Sequence, residues 1–445
     1  MSSFLLKKRL HPDSGTVDID KLTDVSLTGA VYSNSSGSDF SGFADAGNIT
    51  LSSAGQKILF NLPGASNGKG NFFIKDEEYA VYVKGNYTGT KGFSVVATSG
   101  FTAKSESDNL TFPAEHEKGA FEYIFTGKAT DSCGGLAIMP ASGQDGVEGL
   151  SISEIKAGPL HPGNEGVEDE NGIVMTVPRN YKAKTQGVDY GTFQGDEYYS
   201  GYTKSNRPFN VILPPGYTTE KKYPVIYMLH GIGCNQDSFG ASADNCPIVQ
   251  IAGNLYAEKQ AREAIIVIPN IRVSAEPEPD PIFNAENYKC YDLFREDLIE
   301  YLMPYMEQNY SIATGRENTA IAGFSMGGRE ALYIGTTKSE YFGYVAGFCP
   351  TYGLFSYPPN WTGVGEDGLF KDKKDFTLPA EHMDKTLLMV VKGSADGTVG
   401  NMPKEYHEVL ETNGVPHYYY VVEGGEHNDV TWSHGLYNYM RKIFS

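Results

Sequence analysis

Gly323-Phe324-Ser325-Met326-Gly327 fits the pattern G-x-S-x-G, with a predicted strand (Thr319-Ala-Ile-Ala-Gly-Phe) running into it and a predicted helix starting at 326. The bare pattern also arises as a Gly-rich turn carrying an incidental serine. A strand on one side and a helix on the other make it the nucleophile elbow. There the glycines permit a strained turn that lifts the Ser325 hydroxyl clear of the sheet. The N–H groups at the helix start then face any oxyanion that develops beside it. A serine hydroxyl is a poor nucleophile at neutral pH, so it requires a base, and the base requires an acid to orient it.

In such turns the partners follow in the order Ser, Asp or Glu, His. Downstream of Ser325, His382, His427 and His434 fall in or near loops, whereas His407 and His417 lie inside a predicted helix and strand. His427 stands in Glu423-Gly-Gly-Glu-His-Asn, between the last apolar strand and the last helix, and is the expected base. His434 falls inside that helix and reads as a packing residue. Asp396, in Lys392-Gly-Ser-Ala-Asp-Gly directly after the strand Thr386-Leu-Leu-Met-Val-Val, is the expected acid, fixing the histidine tautomer. Asp-Gly is also an ordinary turn. Glu426 and Asp429 are rivals by proximity, but stand too close in sequence to His427 to orient its ring. Leu229-His230-Gly231-Ile232-Gly233 ends another apolar strand and offers the second oxyanion N–H. The expected donors are the backbone N–H groups of Ile232 and Met326, with Gly231 as the alternative. His230 reads as a structural residue beneath that loop.

These residues need a scaffold, and from about residue 205 the sequence alternates strand and helix. Strands are expected at 209–214, 224–229, 264–268, 319–324, 343–348, 386–391 and 417–422. Helices are expected near 247–260, 290–309, 326 onward, 402–412 and 431–443. Such alternation implies a mostly parallel sheet between helices, with the site at the carboxyl ends of the strands. Residues 1–160 read differently, as short alternating strands (Lys57-Ile-Leu-Phe-Asn-Leu, Tyr79-Ala-Val-Tyr-Val-Lys, Phe121-Glu-Tyr-Ile-Phe) punctuated by Gly, Ser, Asn and Asp. That pattern indicates an all-β sandwich. The Gly-, Pro- and acid-rich run 157–172 reads as linker. The expected organisation is a sandwich at 1–160, a linker at 161–185 and the α/β domain at 186–445.

The whole chain has 445 residues, more than one core supports. Its 36 Lys+Arg against 55 Asp+Glu give a net charge of −19, which argues against nucleic acid or an anionic membrane as partner. No apolar run approaches the roughly 20 residues that cross a bilayer. The five cysteines lack metal-ligand spacing, so no zinc site is expected, while one bridge among Cys234, Cys246 and Cys290 stays open. The first 20 residues lack a signal-peptide core. Either the chain is cytoplasmic or an export signal has been removed.

Arg207-Pro-Phe-Asn-Val-Ile-Leu-Pro-Pro-Gly-Tyr217, Tyr223-Pro-Val-Ile-Tyr-Met-Leu-His-Gly231, Gly323-Phe-Ser-Met-Gly-Gly328 and Gly424-Gly-Glu-His427 together resemble the esterase D-like α/β-hydrolases. More narrowly, residues 185–445 are similar to the feruloyl and acetyl-xylan esterases of carbohydrate esterase family one. The resemblance implies an α/β-hydrolase domain preceded by an all-β, jelly-roll-like sandwich. It assigns Ser325, Asp396 and His427 as nucleophile, acid and base. It implies a secreted enzyme that cleaves ester bonds on plant cell-wall arabinoxylan without cofactor or metal, joined to a carbohydrate-binding module. Ferulate release leads, with xylan deacetylation, acyl transfer and a silent polysaccharide-binding protein as alternatives. By position, Tyr352, Trp361 and Trp432 form an aromatic acyl pocket or else close the core. Residues 1–160 hold no tryptophan, so glycan stacking there would fall to Tyr32, Tyr79, Tyr82, Tyr87 or Tyr123. Oligomeric state is not legible.

Overall fold

The structure, a computed structural model, describes residues 17, 19, 22–33, 40–43, 45–63, 65, 70–99, 102–107, 109–114, 118–160, 166–274, 283–360, 362–365 and 367–444. The chain forms two compact units, one of Met1–Gly166 with Pro178–Ala183, the other of Val167–Val177 with Lys184–Ser445.

In the first unit two antiparallel sheets enclose one apolar core. One is centred on Glu78–Tyr87 between Val147–Pro159 and Gly119–Ala129; the other is centred on Gly135–Pro140 between Phe93–Ser99 and Lys57–Asn61. The period-2 pattern explains the burial. Tyr79, Val81, Val83 and Tyr87 point inward from one strand and meet Phe93, Val95, Leu136 and Ile138 from the other sheet. The Tyr79 hydroxyl accepts the Ala97 N–H at 3.0 Å. Tyr79 and Tyr87 are therefore core residues and have no free face to offer a sugar.

Within the stretch read as linker, described from residue 166, residues near its middle are hydrogen-bonded to the unit each belongs to. Asn438 exchanges two hydrogen bonds with the backbone of Val174, at 2.8 and 2.9 Å, and Tyr420 donates to the Met175 carbonyl. Arg179 bonds the Phe72 carbonyl and Glu77 within the first unit.

The second unit is built on an eight-stranded sheet. Its strands are β1 (Thr192–Ser200), β2 (Ser205–Leu213), β3 (Val225–Leu229), β4 (Ile265–Pro269), β5 (Thr319–Phe324), β6 (Tyr344–Phe348), β7 (Leu387–Gly393) and β8 (Tyr418–Val422). The spatial order is β1-β2-β4-β3-β5-β6-β7-β8, parallel from β4 to β8, with β1 and β2 antiparallel at one edge. β3 and β4 are buried along their whole length, as unbroken apolar runs in a parallel sheet should be. Helices α1 (Pro247–Ala257), α2 (Ala285–Asp292), α3 (Met326–Thr337), α4 (Met402–Thr412) and α5 (Asp429–Lys442) connect or flank the strands. The helix expected over 290–309 is composite, with a π-helical segment at Leu298–Leu302 followed by Met303–Asn309. Pro304 lies at that junction and has no N–H to continue the regular ladder.

β1 was not anticipated. Its sequence, Thr-Phe-Gln-Gly-Asp-Glu-Tyr-Tyr-Ser, carries paired acids that suit an exposed edge strand. What pins it is Asp297, fully buried, which accepts from Tyr198 and Ser200 of β1 and lies 3.2 Å from Arg207 of β2. The five cysteines are all free thiols, so no bridge joins Cys234, Cys246 and Cys290.

Candidate active site

Strands β3, β5, β6, β7 and β8 end on the same side of the sheet, and the candidate residues leave from those ends. Ser325 sits between β5 and α3 with φ 58° and ψ −116°, a strained conformation for a residue with a side chain. The flanking glycines are required by close approach. A Cβ on Gly327 would lie 2.3 Å from the Leu229 carbonyl oxygen, and one on Gly323 would lie 2.3 Å from that of Gly327. Glycine at 327 thus lets the elbow fit against the end of β3, and glycine at 323 lets the first turn of α3 close over the end of β5.

His427 leaves the loop after β8, and its Nε2 stands 2.9 Å from Ser325 Oγ. Its Nδ1 stands 2.8 Å from Asp396 Oδ2, so the three side chains form one line of hydrogen bonds. Neither Glu426 nor Asp429 takes that place. Asp396 Oδ1 accepts the N–H groups of Thr398 and Val399, at 2.9 and 3.2 Å. Burial pushes the Asp396 carboxyl upward. The opposing pull of His427, through hydrogen bond and charge, together with the Val399 N–H and the Cys349 thiol, leaves it below the ordinary value. The loops that carry Asp396 and His427 are joined directly, the Ala395 N–H donating to the Gly425 carbonyl at 2.9 Å. Phe324 lies under the imidazole, with ring centres 4.6 Å apart.

His230 is buried beneath the loop after β3, as its reading required. Its Nδ1 lies 2.7 Å from the Gly231 carbonyl, and its Nε2 accepts the Ile271 N–H at 3.0 Å. A carbonyl only accepts, so Nδ1 carries the proton and the ring is neutral. Burial pushes its pKa down to about 4. The ring thereby ties the loop after β3, which brings Ile232 to the same cavity as Ser325, to the chain after β4.

A cavity of about 240 Å³ opens over Ser325 and His427. Ile232 and Met326 line it, as does Tyr352. Met326 opens α3, where a backbone N–H has no acceptor within the helix. Trp432 does not line the cavity. It is buried on α5, edge-on to Phe239 at 4.9 Å, and so closes the core, the other of its two readings. Trp361 lies outside the described residues. Sequence reasoning missed Phe283, Tyr288 and Tyr357, which complete the aromatic wall, and Asn360 and Thr362, which give it a polar end. Tyr357 stands five residues beyond Tyr352 on the same strand-end loop, with ring centres 5.3 Å apart, and that shared loop was the available signal. Cys349 was also missed. It directly follows β6 with φ 44°, and its sulfur, an Asp396 oxygen and a His427 nitrogen all lie within 4.8 Å of one another.

Residues 200–443 match the family model described as putative esterase, more than half of the chain. The chain belongs to the putative esterase family. Its second unit is similar to the CE1 ferulic acid esterase of Anaeromyces mucronatus solved with ferulic acid, at 40% identity over 61% of this chain and 97% of that one, with a TM-score of 0.56. The fold is accordingly that of an α/β-hydrolase. An endo-1,4-beta-xylanase/feruloyl esterase of Xylanibacter ruminicola is 26% identical over 62% of this chain and 34% of its own length. Endo-1,4-beta-xylanase Y of Acetivibrio thermocellus is 26% identical over 36% of this chain and 14% of its own length. The chain thus spans about a third or less of the curated relatives it matches.

Proposed function

We propose that the second unit is a serine esterase that releases feruloyl and related hydroxycinnamoyl groups from arabinoxylan through an acyl-enzyme. The observation that carries this reading is an aromatic-walled cavity opening on the Ser325–His427–Asp396 line. In the first half-reaction Ser325 Oγ bonds to the ester carbonyl carbon while its proton passes to His427 Nε2. Asp396 stabilises the resulting imidazolium. The carbonyl oxygen takes the negative charge and is received by the N–H groups of Ile232 and Met326. Collapse breaks the bond to the sugar oxygen, which leaves with the proton from His427. Water repeats the sequence on the acyl-enzyme and frees the acid. Every step uses protein groups and water alone.

The rings of Phe283, Tyr352 and Tyr357 favour a planar aromatic acyl group, and an acetyl group would leave them unfilled. Aromatic pairs contribute about 0.5–1.5 kcal/mol each beyond area burial. Tyr357→Ala should therefore lower kcat/KM for methyl ferulate about two- to tenfold and leave that for a chromogenic acetate ester within a factor of two. Equal loss on both esters, or a wild-type preference for acetate, would favour the deacetylase reading instead.

Arabinoxylan is an extracellular polymer, and the enzyme is assigned there with it. No helix of the described residues is long and apolar enough to cross a membrane. The same reading gives the first unit the role of holding the enzyme on glycan, raising the local concentration of polymer-bound ester. Retention of a 1–160 fragment on insoluble xylan tests that role, and free passage through it would remove it.

A further inference from the structure

At the amino end of β8, opposite the strand ends from which Ser325, Asp396 and His427 leave, two histidines that the proposed reaction does not use meet between α4 and β8. Nδ1 of His407 stands 2.7 Å from Nε2 of His417, which immediately precedes β8. The other nitrogen of His417, Nδ1, lies 2.8 Å from the Val415 carbonyl, an acceptor only, and so bears a proton. The other nitrogen of His407, Nε2, lies 3.6 Å from a Glu411 carboxylate oxygen, again an acceptor only. Tyr419 stacks on the His407 ring, centres 4.1 Å apart and planes within 2°, and fixes its orientation.

A proton count shows what is unusual here. Two nitrogen lone pairs do not face each other at 2.7 Å, so something positive lies between them. A neutral pair has two ring protons. One is committed to Val415 and the other fills the His407–His417 gap, which leaves His407 Nε2 without a proton on the side of the Glu411 carboxylate. A cation in the gap would free the His407 proton for Nε2, where it would face that carboxylate instead of a bare nitrogen. The Val415 contact is of the kind that orients a metal-binding imidazole, its ring N–H held by a backbone carbonyl with the opposite nitrogen turned to the metal, and a carboxylate stands near the other ring.

We propose that His407 Nδ1 and His417 Nε2 bind one divalent transition-metal ion, of the zinc or nickel class, at a surface site separate from the active site. Imidazole suits these ions. Bonds of about 2.0–2.1 Å would set the two nitrogens roughly 3.3 Å apart, so the rings open by about half an ångström. Metal takes the gap, the His407 proton moves to Nε2 facing Glu411, and both outer contacts are kept. No proton is released from a neutral pair, and one is released from a protonated pair. Both rings are partly exposed, so water completes the ion's shell. The bound ion would clamp α4 to β8 and stabilise the folded chain by mass action.

The test uses the full-length protein without a histidine tag, titrated with nickel or zinc chloride against a colorimetric chelator, with thermal unfolding in parallel. The expected result is one saturable equivalent at micromolar concentration, a raised Tm that EDTA reverses, and ester hydrolysis unchanged by nickel at that occupancy. His407→Gln and His417→Gln should each weaken the site at least about tenfold, which is about 1.4 kcal/mol, and abolish the rise in Tm. Either variant folds or fails visibly by its metal-free Tm, and Glu411→Gln gives a milder loss at a position outside the pair. Binding that is identical in wild type and both histidine variants would overturn the proposal. So would the absence of saturable binding, which would leave a shared proton as the sole occupant of the gap.

Discussion

Ser325→Ala should lower kcat on methyl ferulate by at least about a thousandfold, His427→Ala should do the same, and the double variant should be little worse than either. On the proposed mechanism the two side chains act as one device. Ser325 Oγ lies 2.9 Å from His427 Nε2. Removing the hydroxyl leaves a base with nothing to activate, and removing the base leaves a hydroxyl whose proton has nowhere to go. The remaining rate comes from the Ile232 and Met326 N–H groups and from the cavity. KM should change far less than kcat, because neither side chain is part of the aromatic wall. Circular dichroism and Tm should match wild type, since alanine fits the space left by serine. A Ser325→Ala protein keeping more than a tenth of the wild-type rate would remove Ser325 as nucleophile. Independent losses that multiply in the double variant would mean that the two residues serve different steps.

The site was legible where chemistry constrains residue type and order, and illegible where tertiary packing alone decides. Ser325, Asp396 and His427 each stood at the end of a predicted strand, and one line of hydrogen bonds joins them. Glycines at 323 and 327 were readable from the motif, and the structure gives each a reason: the Leu229 carbonyl of β3 approaches Gly327, and the Gly327 carbonyl approaches Gly323. Cys349 carried no such mark. Its sulfur meets Asp396 only because the chain turns through a positive φ after β6, and no neighbouring residue announces that turn. Trp432 shows the converse. A tryptophan near the base suggested a pocket, but its helical position turns it toward Phe239. In the scaffold, apolar runs such as Val225–Leu229 and Ile265–Pro269 were readable as buried parallel strands. Thr192–Ser200 was not, because its polar sequence lacks such a run and the side chains that hold it to the helical layer, Asp297, Tyr305 and Tyr310, lie about 100 residues further along the chain.

Asp396→Asn should be nearly as damaging as loss of the nucleophile, lowering kcat about a thousand- to ten-thousandfold while the fold is kept. The substitution preserves volume, and the amide oxygen can still accept the Thr398 and Val399 N–H groups that hold the loop. That leaves the NH2 group facing His427 Nδ1 where a carboxylate oxygen stood at 2.8 Å. A donor cannot meet the Nδ1–H donor, so the imidazole changes tautomer, with Nδ1 bare and the proton on Nε2. Nε2 then points a proton at Ser325 Oγ and cannot take one from it. Stability should change in a way a merely misplaced loop would not produce. The Asp396 carboxyl titrates below its ordinary value of 3.8 in the folded chain. Its contribution is therefore complete above that pH and is lost as pH falls through the lower folded value. The amide does not titrate, so the variant should lose less stability than wild type on acidification below pH 3.8. Urea unfolding at a series of pH values measures this, and kcat at neutral pH measures the tautomer. A variant with more than a tenth of the wild-type kcat would mean that another group orients His427. An inactive variant with an unchanged acid slope would mean that Asp396 is not held as a carboxylate by its partners.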